Sequence, residues 1–507
     1  MTASVPLATA IAQAERLLQS NPGEAAARAQ AILRAVPGET RASLILARAL
    51  RMAGRQQDAV AVLDPLSRLP HADVLVLLEL GAIYDEQGDV QGIVDCFTEV
   101  CRRGPAPSRV WVVLGHALKT LGRQQESIAT YREAIARFPS CGEAYWGIAN
   151  LKTIHLTDQD VAAMRAQLGR TDITQEERTN FEFAMGKALG DAGDFAQSFA
   201  HYERANALAR EHKPYSTSTT REFISELKTR LTKDFFAARE GWGAEAPDPI
   251  FIVGMPRAGS TLIEQILASH SAVEGTKELL DISHMTLVLG PWGKEEGKTS
   301  FLDVLSGLPA DRFNALGQEY LARTRQHRKL ARPHFIDKMP GNFLHAGFIH
   351  LILPNAKIID ARRNPLACGL SGFTHHFRHG HSFFYNLENL GQYYADYVSL
   401  MAHWDAVLPG RVHRVQYEEL VADPETNVRR LLDYCGLPFE ENCLRFYENA
   451  RAVHTPSSQQ VRQPIYSDAV DFWRNYEPWL GPLKAALGSA NAPLRSPSDR
   501  VQVACDD

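Results

Sequence analysis

A glycine loop with a displaced positive charge is the first feature of this sequence that could do chemistry. The segment Gly254-Met-Pro-Arg-Ala-Gly259-Ser260-Thr261 lies between a branched and aromatic apolar run, Pro249-Ile-Phe-Ile-Val, and a helical pattern beginning at Leu262. Strand, tight loop and helix in that order aim backbone N–H groups and a helix N-terminus at an anion. A nucleoside-triphosphate loop reads GxxxxGKS or GxxxxGKT, with the lysine on the terminal phosphates. Here the two glycines keep that spacing, Ser260 stands at the lysine position, and the charge falls earlier, at Arg257. Arg257, Ala258, Gly259, Ser260, Thr261 and Leu262 should therefore hold a phosphate donor of a different shape, without a metal ion. A second cluster follows another predicted strand, Lys357-Ile-Ile-Asp-Ala. Arg363 at its end and Ser371, eight residues on in the next helix, can converge on one phosphate. From Arg332 to Arg378 there are six Lys or Arg and two Asp or Glu, so positive charge is concentrated there.

The elements that must position these residues occupy part of a 507-residue chain. At roughly 150 residues per domain, that is about three domains' worth of material. With 45% hydrophobic and 22% charged residues the composition is that of an ordinary globular protein, which excludes disordered, collagen-like and disulfide-scaffold chains. A net charge of −5 is a poor match to a broad duplex-DNA surface, so no nucleic-acid partner is expected. The seven cysteines form no CxxC pair and read as free thiols in a reducing compartment. The N-terminus has no basic leader region, Glu15 and Arg16 break its only apolar stretch, and no run reaches the ~18 apolar residues of a membrane span. A cytoplasmic protein without a membrane partner is expected.

The first part of the chain is periodic. Small residues recur at Ala47, Gly81, Gly115 and Ala149, spaced 34 apart, and Gly54, Gly88 and Gly122 keep that period seven positions later. With Trp111, Leu114, Leu118, Tyr131, Ala134 and Pro139 they form a large–small–large pattern that resembles the tetratricopeptide repeat. Tyr145, Ile148 and Ala149 open another unit, Met185, Gly186, Gly193, Phe199, Tyr202 and Ala205 form a further one, and 13–40 reads as a degenerate cap. The small residue lets the paired helix approach, and the glycine seven positions on breaks the chain between the two. Stacked hairpins bury each other's apolar faces and make a superhelix with a concave groove, suited to a peptide or partner protein. A scaffold that only stabilises or dimerises the rest is the plainer reading. The expected organisation is an all-α repeat superhelix over 1–215, a helical linker over 216–246, an α/β domain with a parallel sheet over 247–487, and a disordered tail over 488–507.

Taken together, Arg257-Ala-Gly-Ser-Thr-Leu and the Arg363/Ser371 pair resemble the 5′-phosphosulfate loop and the 3′-phosphate site of sulfotransferases, which use 3′-phosphoadenylyl sulfate (PAPS). The resemblance runs from about 249 to 480 and points to protein-tyrosine sulfotransferases and bacterial repeat-fused homologues. It implies a P-loop-like α/β fold, and it implies roles. Glu278, 21 residues after Arg257, matches a catalytic glutamate, and Lys338 in Phe335-Ile-Asp-Lys-Met-Pro matches a catalytic lysine. Tyr417 matches a nucleotide-contacting tyrosine, and Ser457 a serine beside the transferring sulfonate. Glu278 would take the acceptor proton, while Arg257, Lys338 and Ser457 would stabilise charge on the leaving oxygen. The basic residue that usually precedes the family's tryptophan is replaced by Phe472, before Trp473, which leaves Arg462 or Arg474 to supply a 3′-phosphate contact. Animal tyrosylprotein sulfotransferases are anchored lumenal proteins, a departure that bears on the acceptor more than on the chemistry.

His375, His376, His379 and His381 fall within seven residues, and His375 and His379 could share a helical face. Histidines four apart can bind zinc. No HExxH glutamate lies between them, and the reaction implied by the resemblance uses no metal, so they are expected to line or cover the acceptor pocket. Asp337 is a candidate second base, although neighbours on a strand point apart. The resulting expectation is a PAPS-dependent sulfotransferase acting on protein tyrosine, or on another peptide or polymer hydroxyl presented by the repeats. An ATP-using P-loop kinase is the competing enzyme class, opposed by the missing lysine. A catalytically silent repeat scaffold is opposed by the joint presence of Arg257, Glu278, Lys338, Arg363 and Ser371.

Overall fold

The computed structural model describes residues 6–491 apart from 152–153, 294–296, 378–379, 450, 452, 454 and 456–457. The chain divides into two compact units, Met1–Ile154 and His155–Asp507. The first unit is helical from Leu7–Ser20 to Gly142–Ala149, and its periodicity has a packing cause. A Cβ on Gly115 would stand 2.4 Å from the Tyr131 ring, and one on Gly81 would stand 2.2 Å from Phe97, so only glycine admits the aromatic of the paired helix. Ser127 Oγ donates to the Gly115 carbonyl at 2.8 Å, and Gly122 turns the chain between the two helices at a φ of 79°.

Beyond its first helix, Asp158–Leu168, the second unit holds a hairpin of the same build. Gln175–Asp191 and Phe195–His212 pack with Gly186 against Tyr202, and Ser198 Oγ donates to the Gly186 carbonyl at 2.5 Å. The sequence groups this hairpin with the repeats before 215, whereas the compact division falls at Ile154/His155 and puts it with the sheet. Its contacts explain why. Phe199 stacks on Phe373 and Trp479, with centroids 5.7 and 5.6 Å away. Asn206 Nδ2 donates to the Phe373 carbonyl at 2.9 Å, and Ser198 Oγ lies 2.8 Å from the Tyr476 hydroxyl. The helices Thr217–Arg230 and Lys233–Ala237 follow, where the sequence reads a linker.

Five strands, β1 (Pro249–Gly254), β2 (Val273–Gly275), β3 (His334–Lys338), β4 (Lys357–Arg362) and β5 (Val412–Gln416), pair in parallel in the order β2-β3-β1-β4-β5. Every residue of β1 is buried, as a central parallel strand covered on both faces requires, and hence its unbroken apolar run. The register sets Ile252 beside Lys338 and Gly254 beside Ala361, so the loops leaving these strands begin at one edge. Pairing proceeds from β1 to β3 and β2 on one side and to β4 and β5 on the other. Open parallel sheets form their binding crevice at the carboxyl ends of strands around such a switch point. Of the tail expected over 488–507, Gly488–Asn491 is a short turn and the rest lies outside the described residues. No helix among the described residues is long and apolar enough to cross a membrane.

Candidate active site

Each strand delivers one candidate side chain at its carboxyl edge: Glu278 beyond β2, Lys338 at the end of β3, Arg257 beyond β1, Arg363 beyond β4 and Tyr417 beyond β5. In the sheet's spatial order these read Glu278, Lys338, Arg257, Arg363, Tyr417. A carboxylate–ammonium pair therefore occupies one flank and a guanidinium cluster the other.

On the guanidinium flank the loop after β1 is held in an unusual conformation. Arg257 has a φ of 70°, which costs a non-glycine residue on the order of 1–3 kcal/mol. Gly259, at a φ of 95°, leads into the helix Ser260–Ala268, and a Cβ there would lie 2.7 Å from the Tyr417 ring. The first N–H groups of that helix have no intrahelical acceptor, and its positive dipole end faces the loop. Arg257 Nε donates to Ser371 Oγ at 3.2 Å, and Arg363 Nη1 donates to the Arg257 carbonyl at 3.3 Å. Arg363 lies over the Tyr417 ring, 4.7 Å from its centroid, while Nη2 donates to the Ala469 carbonyl at 2.6 Å. Burial, and after it the nearby Arg363 guanidinium, brings Arg257 down to about 10. Arg363 Nε and Arg462 Nε are buried without a hydrogen-bond partner among the described residues. Cations gathered in this way, with N–H groups left over, suit a ligand that carries more than one phosphate.

Local chemistry brings Ser371 to this cluster. Asn364 caps the helix Pro365–Phe373, its side chain accepting from the Leu366 and Ala367 N–H groups at 2.9 and 3.1 Å, and Pro365 starts it. Glu418 Oε1 accepts the Asn364 N–H at 2.9 Å. Arg362 turns the other way, to Asp360 at 2.7 Å and the Tyr397 hydroxyl at 2.9 Å, so Arg363 alone reaches the loop. Of the two arginines considered for the position left by Phe472, Arg474 is exposed and paired with Asp471 at 2.9 Å. Arg462 is the partly buried one, donating to the Arg451 carbonyl at 3.1 Å.

On the other flank Lys338 is only 1% exposed, and its ammonium is ion-paired with Glu278, whose carboxylate stays open to solvent. Thr276 Oγ1 donates to the Ile336 carbonyl at 2.6 Å and laces the segment before Glu278 to β3. Asp337 points to the opposite face, where it accepts the Tyr320 hydroxyl at 2.8 Å, and burial pushes its carboxyl up to about 8. Strand alternation thus separates it from the reacting flank. Ser457 lies outside the described residues. Its near neighbour Thr455 accepts from Thr261 Oγ1, in the first turn of the helix after the β1 loop, at 3.2 Å.

Three of the four histidines are described, and His375 and His381 both pack against the Phe377 ring. His375 is buried with its ring 4.8 Å from that of Phe377, whereas His376 stacks on Phe183 at 5.0 Å and lies 3.1 Å from Asn180 Oδ1. His379 lies outside the described residues. His381 faces the Glu278–Lys338 pair; burial lowers its pKa, with Glu278 opposing and Lys338 adding to the shift. Among the described residues no group of three or more His, Cys, Asp or Glu is placed to hold a metal ion.

Two site residues escape sequence reasoning. Glu264, on the helix Ser260–Ala268, is 2% exposed; its Oε1 accepts Arg451 Nη2 at 2.5 Å, and its Oε2 lies 4.0 Å from Lys338 Nζ. Arg451 Nη1 donates to Gln265 Oε1 at 3.2 Å. A signal was present: Glu264 and Gln265 interrupt the apolar run Leu262-Ile-Glu-Gln-Ile-Leu, and a polar pair inside such a run needs buried partners.

Residues 249–441 match the model of the sulfotransferase family, and residues 9–66 and 108–141 match tetratricopeptide-repeat models. An uncharacterised protein of Aquifex aeolicus is 30% identical over 408 residues, which are 80% of this chain and 53% of that protein. Protein-tyrosine sulfotransferase A of Caenorhabditis elegans is 23% identical over 250 residues, 46% of this chain and 63% of the relative. The chain thus spans about half the length of the first and less than two thirds of the second. Among solved structures, the sulfotransferase domain of the Synechococcus PCC 7002 olefin synthase is 22% identical, with a TM-score of 0.34, covering 51% of this chain and 94% of that one.

Proposed function

We propose, for a chain whose residues 249–441 belong to the sulfotransferase family and whose earlier part carries tetratricopeptide repeats, the transfer of a sulfonate group from PAPS to an acceptor hydroxyl. Protein tyrosine, or another peptide or polymer hydroxyl, is the acceptor. One observation carries this reading: the order Glu278, Lys338, Arg257, Arg363, Tyr417 across the sheet sets a carboxylate–ammonium pair next to a guanidinium cluster.

PAPS supplies the sulfonate and departs as adenosine 3′,5′-bisphosphate. The residues of the chain fit such a donor, since Arg363 Nε beside Arg257, and Arg462 Nε beside Arg451, are buried N–H groups with no hydrogen-bond partner among the described residues. Arg257 and the loop N–H groups of Gly259, Ser260 and Thr261 hold the 5′-phosphate, with Ala258 and Leu262 completing the loop. Arg363 and Ser371, assisted by Arg462, hold the 3′-phosphate. Tyr417 backs the Arg363 guanidinium. As the acceptor oxygen bonds to sulfur and the sulfur–oxygen bond to the bisphosphate breaks, Glu278 takes the acceptor proton, an effect worth about 10²–10⁴-fold. Lys338, held in a dry setting at the same edge, and Ser457 stabilise charge on the departing oxygen. A phenol, with a pKa of about 10, asks less of such a base than an alkanol. Relatives that bear the name protein-tyrosine sulfotransferase support the phenolic acceptor, and a repeat groove suits a peptide that carries one.

The test is calorimetric titration with adenosine 3′,5′-bisphosphate in chelator, in parallel with ATP and magnesium, followed by labelled PAPS with a tyrosine peptide. Metal-free bisphosphate binding that disappears in Arg363→Ala, with label appearing on the peptide, is the expected result. A preference for ATP with magnesium would overturn the proposal.

A further inference from the structure

Lys338 is a buried cation with two carboxylate neighbours, and only one of them is placed to change its charge during a reaction. Its ammonium is ion-paired with solvent-open Glu278 on one side and lies 4.0 Å from Glu264 Oε2 on the other. Glu264 is itself held by Arg451 at 2.5 Å. Arg451 is fixed in turn: Nη1 donates to Gln265 at 3.2 Å, Nη2 to the Thr276 carbonyl at 3.3 Å, and its own carbonyl accepts from Arg462 at 3.1 Å. A Cβ on Gly275, at the end of β2, would stand 2.6 Å from the Arg451 guanidinium, so that strand presses against it. The cluster holds two cations and two carboxylates. When Glu278 receives a proton it becomes neutral, and a buried ammonium that has lost its only counter-charge tends to shed its own proton.

We propose that Glu264 is a positioning residue, the permanent counter-charge that keeps Lys338 protonated and in place while Glu278 carries the acceptor's proton. The proposal rests on the sulfonate-transfer reading for the role of Glu278, whereas the charge relation between Glu264 and Lys338 can be measured without turnover. The other charged groups facing Lys338 are His381, ahead of the turn Ser382–Tyr385, and Asp337 on its own strand, which is turned to the opposite face. Arg451 stands behind Glu264. Neither His381 nor Asp337 carries a permanent negative charge on the Lys338 side, so among the described residues Glu264 has no substitute.

The experiment is a pH titration of the Lys338 side chain in the full chain by carbon-13 lysine labelling, with the signal assigned through Lys338→Arg. In Glu278→Gln, which imitates the protonated base, Lys338 should stay charged at neutral pH. In Glu264→Gln/Glu278→Gln its titration should move to lower pH. Where turnover of PAPS is measurable, Glu264→Gln should shift the pH–rate profile towards acid and Arg451→Gln should shift it towards alkali. Folding damage would lower both rates without moving the limbs in opposite directions. A Lys338 titration unchanged by Glu264→Gln overturns the proposal whatever the bisphosphate calorimetry shows. Absent bisphosphate binding together with a shifted titration would instead refute the sulfonate-transfer reading and leave the charge relation standing.

Discussion

Asp337→Asn should stabilise the sheet unit at neutral and alkaline pH while leaving it unchanged in acid. The carboxyl is 0% exposed, accepts the Tyr320 hydroxyl at 2.8 Å, and is pushed by burial up to about 8 from an ordinary value of 3.8. A carboxyl whose folded pKa is raised keeps its proton in the native state after the unfolded chain has released it. The unfolded state therefore binds fewer protons between pH 4 and 8, and stability falls as pH rises through that window, levelling off above it. At roughly 1.4 kcal/mol per unit, the cost at pH 7 has a ceiling of about 4 kcal/mol, and local relaxation would leave about 2–4. Asparagine keeps an oxygen for the tyrosine hydroxyl and has no proton to lose. Urea unfolding of wild type and variant between pH 4 and 9 measures the difference. Curves that converge near pH 4 and separate by a few kcal/mol at pH 8 are expected. A variant no more stable at any pH, or one whose advantage does not grow with pH, would refute the reasoning. Its place on the opposite face of β3, against the Tyr320 hydroxyl, is what removes Asp337 from the candidate bases.

Gly259→Ala combines backbone strain of about 1–3 kcal/mol with a methyl placed 2.7 Å from the Tyr417 ring. Calorimetry should show bisphosphate affinity weakened about 10- to 100-fold, and an unchanged Kd would mean that this loop does not hold the phosphates. Glu278→Gln should lower kcat for sulfonate transfer by about 10²–10⁴-fold and leave bisphosphate affinity near wild type; loss of both together would place Glu278 in donor binding instead. Phe199→Ala removes a ring stacked on Phe373 and Trp479 and should cost the sheet unit about 3–5 kcal/mol. Hydrogen exchange should report that loss in the helix Pro365–Phe373, and no change there would show that the hairpin does not brace it.

What the sequence determines here is whatever contiguous residues decide among themselves. The 34-residue period is legible because Gly115 and Tyr131 meet within one hairpin, and the helix pair is complete before any distant contact forms. The glycine loop is legible for the same reason, since strand, glycines and helix N-terminus follow one another from Pro249 to Ala268. The approach of Ser371 to the loop arginines is readable in part, because the eight residues of strand end and capped helix after Arg363 carry it back towards the loop, although its hydrogen bond comes from Arg257. Glu278, Lys338 and Tyr417 came from family likeness, and local pattern alone would have left them as surface charges and a strand-end tyrosine.

The tertiary structure decided what depends on distant partners. The strand order β2-β3-β1-β4-β5 places Glu278 beside Lys338 across 60 residues of chain, and no periodicity encodes which parallel strands become neighbours. Pairing with Arg451, 187 residues away, turns Glu264 from an apparent helix-surface glutamate into a buried counter-ion. Only folding neutralises both charges, which is why neither residue reveals its role alone. The hairpin Gln175–Asp191/Phe195–His212 carries the repeat's own signature, and yet its aromatic contacts join it to the sheet unit. Local pattern specifies how a segment folds, whereas the partner that buries its remaining apolar and charged surface is chosen by the three-dimensional packing of the whole unit.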